Sequence, residues 1–233
     1  MEKVDVVIVS WAKDPALLEV TRNGLTTLFS SETEVAFNAF VVESNPEISY
    51  NEFNIEGKPA RCFTIRPTGE FGYHKFLNIG VRASSSPWVV LCNSDLTYEK
   101  GWATAIIRAM QQFPQVLSAS PWCPQTQGDN TQYLNNVYQG YQIRNELAGW
   151  CIFQQRKIYD IIGELDERFT FWYCDNDYAM ELKTRGISHA LVPASVVNHH
   201  HNYLGSTGSV LDSAEQERLT TQQAAKFHQK WVA

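Results

Sequence analysis

Three short stretches of the chain carry residue types that can do chemistry. Asn93, Ser94 and Asp95 follow an unbroken apolar run, residues 87–92. A carboxylate at the end of a buried strand can hold magnesium or manganese against a diphosphate, because these cations take oxygen ligands and leave positions for phosphate oxygens. Asn-Ser-Asp is also the composition of a plain turn. His199, His200 and His201 follow another apolar run. Neutral imidazole ligates manganese or zinc, and alternation along an extended chain sets His199 and His201 on one face with His200 on the other. A chance cluster in a polar loop is the bland alternative. Asp175 and Asp177 flank the start of a predicted helix, after Phe169, Phe171, Trp172 and Tyr173. A carboxylate beside apolar rings loses hydration, which raises its pKa toward the range of a general base. Asp is equally a routine N-cap.

Weaker signals lie at other strand ends. Ser10, Glu43 and Asn45 follow the first two predicted strands, where a nucleoside would lie. Lys75 and Asn78 share a helical face at i, i+3 and can reach a phosphate or base, although an exposed Lys is more often only solvated. Trp150, beside Gly149, is the tryptophan best placed as a sugar platform, and Trp172 belongs to the aromatic run.

Alternating elements must position these residues. Residues 4–10 form a β-branched strand, and Asp14-Pro15 opens a helix through about residue 29, with Asp as N-cap and Pro at the first helical position. Strands follow at 37–42 and 62–65, a helix at 73–83, the strand 87–92, a helix at 99–113 and a strand at 116–119. The apolar run 87–92 reads as a strand covered on both faces, and the alternation implies an α/β sheet with right-handed crossovers. A polar segment, 125–136, reads as a loop or lid. Beyond it come a strand at 147–153 carrying Gly149-Trp150, short helices at 156–162 and 176–184, a strand at 190–197 interrupted by Pro193, and a helical tail over 213–231 that packs back through Phe227 and Trp231.

Bulk composition bounds the function. With 233 residues and 44% hydrophobic content the chain can bury one sizeable core, so the expectation is one domain. The family resemblance given below implies its parts: a nucleotide-binding half (1–121), an acceptor and catalytic half (122–212) and a C-terminal helical tail (213–233). A net charge of −6 excludes a broad basic surface for nucleic acid. The five cysteines are odd in number and contain no CxxC pair, which predicts reduced thiols and a cytoplasmic setting. The first residues run straight into a strand with no signal segment, and no apolar stretch reaches about 18 residues, so no membrane span is expected.

In order, these pieces resemble the large family-2 type of inverting GT-A glycosyltransferases, including the rhamnosyltransferase-like members. The likeness is carried by residues 4–10, 41–45, 75–80 and 87–95, and most specifically by Phe169-Thr170-Phe171-Trp172-Tyr173-Cys174-Asp175-Asn176-Asp177-Tyr178, then Arg185-Gly186, Val192-Pro193, Val197-Asn198-His199-His200 and Gly205-Ser206-Thr207. The resemblance implies the GT-A fold, a mixed and mostly parallel sheet flanked by helices, and transfer of a sugar from a nucleoside diphosphate to an acceptor hydroxyl with inversion. It makes Asp95 the retained acidic residue of the metal motif, with His199 as second ligand and His201 beside it, for Mn2+ or Mg2+. Asp175 falls at the catalytic base, with Asp177 its rival. Ser10, Glu43, Lys75, Asn78, Asn93 and Ser94 fall with Asp95 in the donor site, and Gly149, Trp150 and Trp172 in the acceptor site.

Two residues depart from the family pattern. Asn93 replaces the usual first aspartate, and Cys174 replaces the glutamate of a Glu-Asp pair. The implied donor is a UDP- or dTDP-sugar, and the acceptor a saccharide or another hydroxyl compound, with modified nucleic acid still open. A noncatalytic sugar-nucleotide-binding module of the same fold is the competing class, supported by Cys174. A sugar nucleotidyltransferase fits less well, because Trp11-Ala12-Lys13-Asp14 lacks the glycines that cradle a triphosphate.

Overall fold

In the computed structural model, residues 1–200 and 213–232 are described. The central strand β1 (Glu2–Ser10) pairs in parallel with β2 (Val35–Glu43) on one side and directly with β6 (Trp88–Asn93) on the other. In that register Ser10 lies opposite Glu43 and Val9 opposite Asn93, so three strand ends share one edge. β5 (Cys62–Ile65) extends the sheet beyond β2, again in parallel.

Past β6 the sheet becomes mixed. β10 (Cys151–Gln155) runs antiparallel between β6 and β8 (Val116–Trp122), and β11 (Ser188–His199) runs parallel to β8. β7 (Leu96–Tyr98) and β9 (Tyr138–Gln139) add antiparallel partners to β11. The order is β5-β2-β1-β6-β10-β8-β11-β7, one continuous sheet through both proposed halves.

Both faces are covered. Val4, Val6 and Ile8 of β1 point into a core shared with Leu25 and Leu28 of α1 (Pro15–Ser30) and Trp102, Ile106 and Met110 of α3 (Trp102–Gln112). Val7 points the opposite way, toward Phe76 and Leu77 of α2 (Tyr73–Ala83) and Tyr178 and Leu182 of α6 (Cys174–Thr184). A Cβ on Gly80 would lie 2.2 Å from Val7 Cγ1, so only glycine lets α2 sit this close to β1. Asp14 caps α1 as its sequence indicates, accepting from Leu17 N at 2.9 Å.

Several expectations need correction. The strand placed at 147–153 starts only at Cys151, leaving Gly149 and Trp150 in the approach to it. Pro193 does not interrupt its strand. β11 runs through it with irregular pairing to β8 between Val192 and Val196, which accommodates a residue without an N–H. The polar segment 125–136 contains the short helix α4 (Pro124–Gln127) and a 3-10 turn, Thr131–Tyr133. The helix placed at 156–162 is a 3-10 turn, Arg156–Ile158, leading into α5 (Tyr159–Ile162). A hairpin of β3 (Asn54–Ile55) and β4 (Lys58–Pro59) was not anticipated; Glu56 and Gly57 turn it with φ of 51° and 76°.

The tail forms α7 (Ser213–Trp231) and clamps the region around α6 through polar contacts. Lys230 Nζ lies 2.8 Å from Asp177, 3.0 Å from Asp166 and 3.0 Å from Glu181. Burial works against its charge, but the three carboxylates outweigh this and raise its pKa. Gln223, buried, accepts from Thr170 N at 3.0 Å, and Phe227 packs on Tyr173 with ring centroids 5.4 Å apart. Lys230→Met is therefore expected to destabilise the fold by about 3 kcal/mol, the low end for removing one partner of a buried ion cluster. Denaturant unfolding checks this, and a loss below about 0.5 kcal/mol, as for a surface pair, contradicts the clamp.

Candidate active site

The end of β6, the start of β7 and the end of β11 bring the first two chemical stretches together. Asn93-Ser94-Asp95 carries the chain from the end of β6 to the start of β7. His200 N donates to the Asp95 carbonyl at 3.0 Å, which brings His199 back over the turn, and His199 Nε2 lies 3.3 Å from Asp95 Oδ1. Asn93 Nδ2 is 3.4 Å from the same nitrogen. Trp150 stacks on the His199 imidazole at 5.2 Å with planes 26° apart, so its ring faces the histidine. His200 turns aside, with Nε2 2.8 Å from Thr97 Oγ1, and His201 lies outside the described residues. Ser94 is half-buried in the turn between them.

On the other side of Trp150, Gly149 faces Asp175. A Cβ on Gly149 would lie 2.6 Å from Asp175 Cβ, so the absence of a side chain is what admits the carboxylate. Asp175 and Asp177 both sit in the first turn of α6, and neither is its N-cap. That position is Tyr173, held at φ 63° with no side-chain cap. Burial raises the Asp175 pKa, opposed by the Asn176 N–H and by the charge of Arg144. Asp177 is placed differently: 1% exposed, it accepts from Lys230 Nζ at 2.8 Å and Trp231 Nε1 at 2.7 Å. These contacts fasten α7, although burial still raises the Asp177 pKa, so it is occupied partners that set it apart from Asp175. Cys174 is buried, and burial together with Asp175 and Asp177 pushes its thiol pKa well up, so it supplies no acid or base in place of glutamate. Trp172 packs edge-on against Phe171 at 4.7 Å, and its buried indole Nε1 has no hydrogen-bond partner among the described residues.

The nucleotide side differs from expectation in residue roles. Glu43 is fully buried, with Oε1 accepting from Ala12 N at 3.0 Å and Asn45 N at 2.7 Å, and Oε2 from the Tyr50 phenol at 3.2 Å. Its carboxylate thus fastens two strand-end loops together instead of facing a nucleoside. Asn45 reinforces the junction, donating to the Ala12 carbonyl at 2.7 Å. Ser10 is buried beside Thr21, with the two hydroxyls 3.4 Å apart. Asn78 is likewise used internally: Nδ2 donates to Leu165 O at 2.9 Å and Oδ1 accepts from Leu165 N at 3.0 Å. Lys75 Nζ rests 3.3 Å from the Glu70 carbonyl. The exposed group on this rim is Trp11, 48% accessible with Lys13 Nζ 5.4 Å from its ring.

Sequence reasoning also missed Tyr73, the first residue of α2. Its phenol donates to Asn93 Oδ1 at 2.7 Å and lies 3.4 Å from the Gly149 carbonyl, between the two halves of the site. Burial, helped by Cys174, Cys92, Asp95 and Asp175, holds its pKa well above the usual range. Nothing in the local pattern around Tyr73 distinguishes it from a core aromatic; its role depends on a contact 20 residues along the chain.

A buried polar chain supports the approach to Gly149. Tyr159 donates to Gln154 Oε1 at 2.6 Å, Gln154 Nε2 to the Tyr178 oxygen at 2.6 Å, and Tyr178 to Ser118 Oγ at 2.8 Å. Ser118 Oγ lies 2.8 Å from His189 Nδ1, and His189 Nε2 lies 3.1 Å from the Glu146 carbonyl. Burial lowers the His189 pKa to about 4, so the ring is neutral, donating to Glu146 and accepting from Ser118.

A family model for glycosyl transferase family 2 matches residues 49–174, just over half of the chain. The chain belongs to glycosyl transferase family 2. The match spans Asn93, Asp95, Gly149 and Trp150 and ends at Cys174, one residue before Asp175. Two solved structures show that this family 2 chain has the GT-A fold. One is GalNAc-T7 with UDP, GalNAc and Mn2+, at TM-score 0.62 and 12% identity over 85% of this chain, which spans 44% of that one. The other is glucosyl-3-phosphoglycerate synthase from Mycobacterium tuberculosis with Mn2+, UDP-glucose and phosphoglyceric acid, at TM-score 0.60 and 12% identity over 98% of this chain and 79% of that one. No curated protein matches the chain by sequence. Among the described residues no helix is long and apolar enough to cross a membrane.

The Asp95–His199 pair of this family 2 chain fits a divalent cation. Adjacent ligands of an octahedral ion at about 2.1 Å lie about 3 Å apart, close to the observed 3.3 Å between Oδ1 and Nε2. The side chains retain 17% and 8% exposure. Among the described residues no group of three or more His, Cys, Asp or Glu converges as a metal cluster.

Two expected outcomes follow from the Gly149–Asp175 contact. Gly149→Ala should displace Asp175 and lower kcat at least tenfold while donor affinity, read by calorimetry, holds; unchanged kcat would mean that the contact is slack. Asp175→Asn should raise Tm near pH 7.5. The folded state binds the Asp175 proton more tightly than the unfolded chain does, so stability falls as pH rises through the raised pKa. The gain should vanish below about pH 4, where the carboxyl is protonated in both states. A lower Tm at pH 7.5 would show that this carboxylate stabilises the fold.

Proposed function

We propose that the chain transfers a sugar from a nucleoside diphosphate sugar to an acceptor hydroxyl, with inversion at the anomeric carbon. The reading rests on one juxtaposition. The Asp95–His199 pair and the Asp175 carboxylate flank Trp150 and Gly149 at the same edge of the sheet. Asp95 and His199 would hold Mn2+ or Mg2+, and His201 remains a candidate third group. A divalent cation bound there supplies charge neutralisation for the departing diphosphate. Asp175 takes the acceptor proton as the acceptor oxygen attacks, and its raised pKa suits that task.

The donor base lies against the loops that Glu43 fastens, with Ser10 and Lys75 along its path and Asn93 and Ser94 beside the ribose. A UDP-sugar is favoured over a dTDP-sugar by the UDP and UDP-glucose in the two structural neighbours, both with Mn2+. Gly149, Trp150 and Trp172 border the acceptor, a saccharide or another hydroxyl compound. The net charge of −6 disfavours a nucleic-acid acceptor. A cytoplasmic setting is supported by five free, buried thiols. A noncatalytic sugar-nucleotide-binding module is the second reading, favoured by Cys174 in place of a second carboxylate.

The test follows nucleoside diphosphate release from a panel of nucleotide sugars with manganese, magnesium or chelator, beside donor binding. Release is expected to require the metal, to fail in Asp95→Ala, and to fall about 10²–10⁴-fold in Asp175→Asn with donor binding retained. Activity should also drop as pH falls through a value above the ordinary carboxylate range, where Asp175 becomes protonated. Donor binding with no release across acceptors favours the noncatalytic module. Undiminished turnover in Asp175→Asn refutes the assigned base.

A further inference from the structure

We propose that Phe227, on the tail helix α7, is a positioning residue: it holds Tyr173 in a left-handed backbone conformation and through that turn sets Asp175 against Gly149. The catalytic consequence rests on the transferase reading.

α7 grips the region around the carboxylate along one stripe. Gln223, Lys226, Phe227, Lys230 and Trp231 fall at i, i+3, i+4, i+7 and i+8, one face of a helix. All five make contacts within residues 166–181. Gln223 Oε1 accepts from Thr170 N at 3.0 Å, and Lys226 Nζ donates to the Arg168 carbonyl at 3.0 Å. Lys230 reaches Asp166, Asp177 and Glu181, and Trp231 Nε1 reaches Asp177. Residues 163–173, which lead into α6, contain neither helix nor strand, so their path depends on the side chains that hold them. α7 supplies such contacts at Asp166, Arg168, Thr170 and Tyr173.

The contact made by Phe227 falls where the backbone is strained. Tyr173 sits at φ 63° and ψ 7°, a region that a tyrosine enters only under constraint. An N-cap is ordinarily extended and caps with its side chain, and Tyr173 does neither. Its carbonyl accepts from Asp177 N at 2.8 Å, which closes the first turn of α6, and Asp175 stands inside that turn. The Phe227 ring packs on Tyr173 at 5.4 Å with planes 38° apart, the only ring against it among the described residues. Thr170 is fixed from the other side as well, its carbonyl accepting from Tyr73 N at 2.8 Å. If Tyr173 relaxes toward the extended region while Thr170 stays bound, the first turn of α6 must swing. The tolerance for that is small, because even a methyl on Gly149 would lie 2.6 Å from Asp175 Cβ. Arg144, whose charge acts on Asp175, belongs to a different segment and does not move with the turn.

Two substitutions separate the Tyr173 backbone from its side chain. Tyr173→Gly and Tyr173→Val both delete the ring, but glycine adopts a φ near that of Tyr173 freely, whereas a β-branched residue resists it. A 13C titration of the Asp175 carboxyl, assigned by comparison with Asp175→Asn, should give a raised pKa in the wild type and in Tyr173→Gly. In Phe227→Ala and Tyr173→Val it should fall toward the ordinary carboxylate range, as water reaches the displaced side chain. With donor and acceptor, kcat of Phe227→Ala should drop about 10²-fold at unchanged donor KM. The acid limb of its pH profile should move to lower pH, and Phe227→Tyr should restore both. In a Tyr173→Gly background, Phe227→Ala should add nothing further. The two Tyr173 variants decide the matter if Phe227→Ala fails to fold. Equal titrations in Tyr173→Gly and Tyr173→Val, or an unshifted Asp175 in Phe227→Ala, overturn the role given to Phe227. A wild type that neither binds nor turns over a donor overturns the transferase reading instead, while the carboxyl titration still decides the positioning.

Discussion

The hydrogen bond from Asn93 N to the Trp150 carbonyl, 3.0 Å long, is the seam on which the site depends. It extends the antiparallel pairing of β6 with β10 beyond the Cys92–Cys151 register pair, where a parallel sheet built on β1 meets the mixed remainder. On one side of the seam the chain turns into Asp95, and on the other it reaches Gly149 and so Asp175. Without this pairing the Asp95–His199 pair and Asp175 would belong to separate surfaces. The seam is also well buried: Cys92 and Cys151 are inaccessible, with their sulfurs 3.8 Å apart, so water competes poorly for the backbone bond beside them.

Charge is distributed unequally around that seam. Asp175 and Asp177 lie two residues apart on α6, about 200° around the helix axis, and meet opposite environments. Asp177 receives an ammonium and an indole N–H, contacts that hold α7 in place. Asp175 receives only the N–H of its neighbour and the charge of Arg144, and burial raises its pKa. Burial raises the Asp177 pKa too, even against Lys230 and Trp231, so the two differ in the partners that occupy them and not in the direction of the shift. The positive φ of Tyr173, beside it, is a second local strain carried by the same turn. The clamp of Lys230 on Asp166, Asp177 and Glu181 offsets both, because it fastens the helix that carries them.

Much of the fold was legible in the sequence, because strands covered on both faces leave long apolar runs and helices leave capping signals. Residues 87–92 and Asp14-Pro15 are examples. Short elements escaped: three-residue β7 and the β3–β4 hairpin have too little periodicity to register. Among the candidate site residues, Asp95, His199 and Asp175 stand out in the sequence as types at strand and helix ends, and the structure brings them to one edge of the sheet. Glu43 and Asn78 were misread for one reason. A polar side chain after a strand or on a helix can face a ligand or tie down a loop, and only the partner distinguishes them. Those partners, Ala12 and Leu165, lie 31 and 87 residues away. Tyr73 was invisible for the same reason in reverse, since an aromatic residue at a helix start reads as core.

The buried hydrogen-bond chain behind the seam runs in a single direction. From Tyr159 through Gln154, Tyr178, Ser118 and His189 to the Glu146 carbonyl, each group has one proton arrangement that satisfies its neighbours. The end points set the sense: a phenol starts the chain, and a carbonyl, which only accepts, ends it. Gln154 stands second in that chain, and an amide transmits direction because its two ends are chemically distinct. Apolar packing can place a histidine ring, but it is indifferent to which nitrogen bears the proton. A neutral imidazole facing a carbonyl needs Nε2–H, and the directional chain arriving through Ser118 at Nδ1 gives His189 that tautomer.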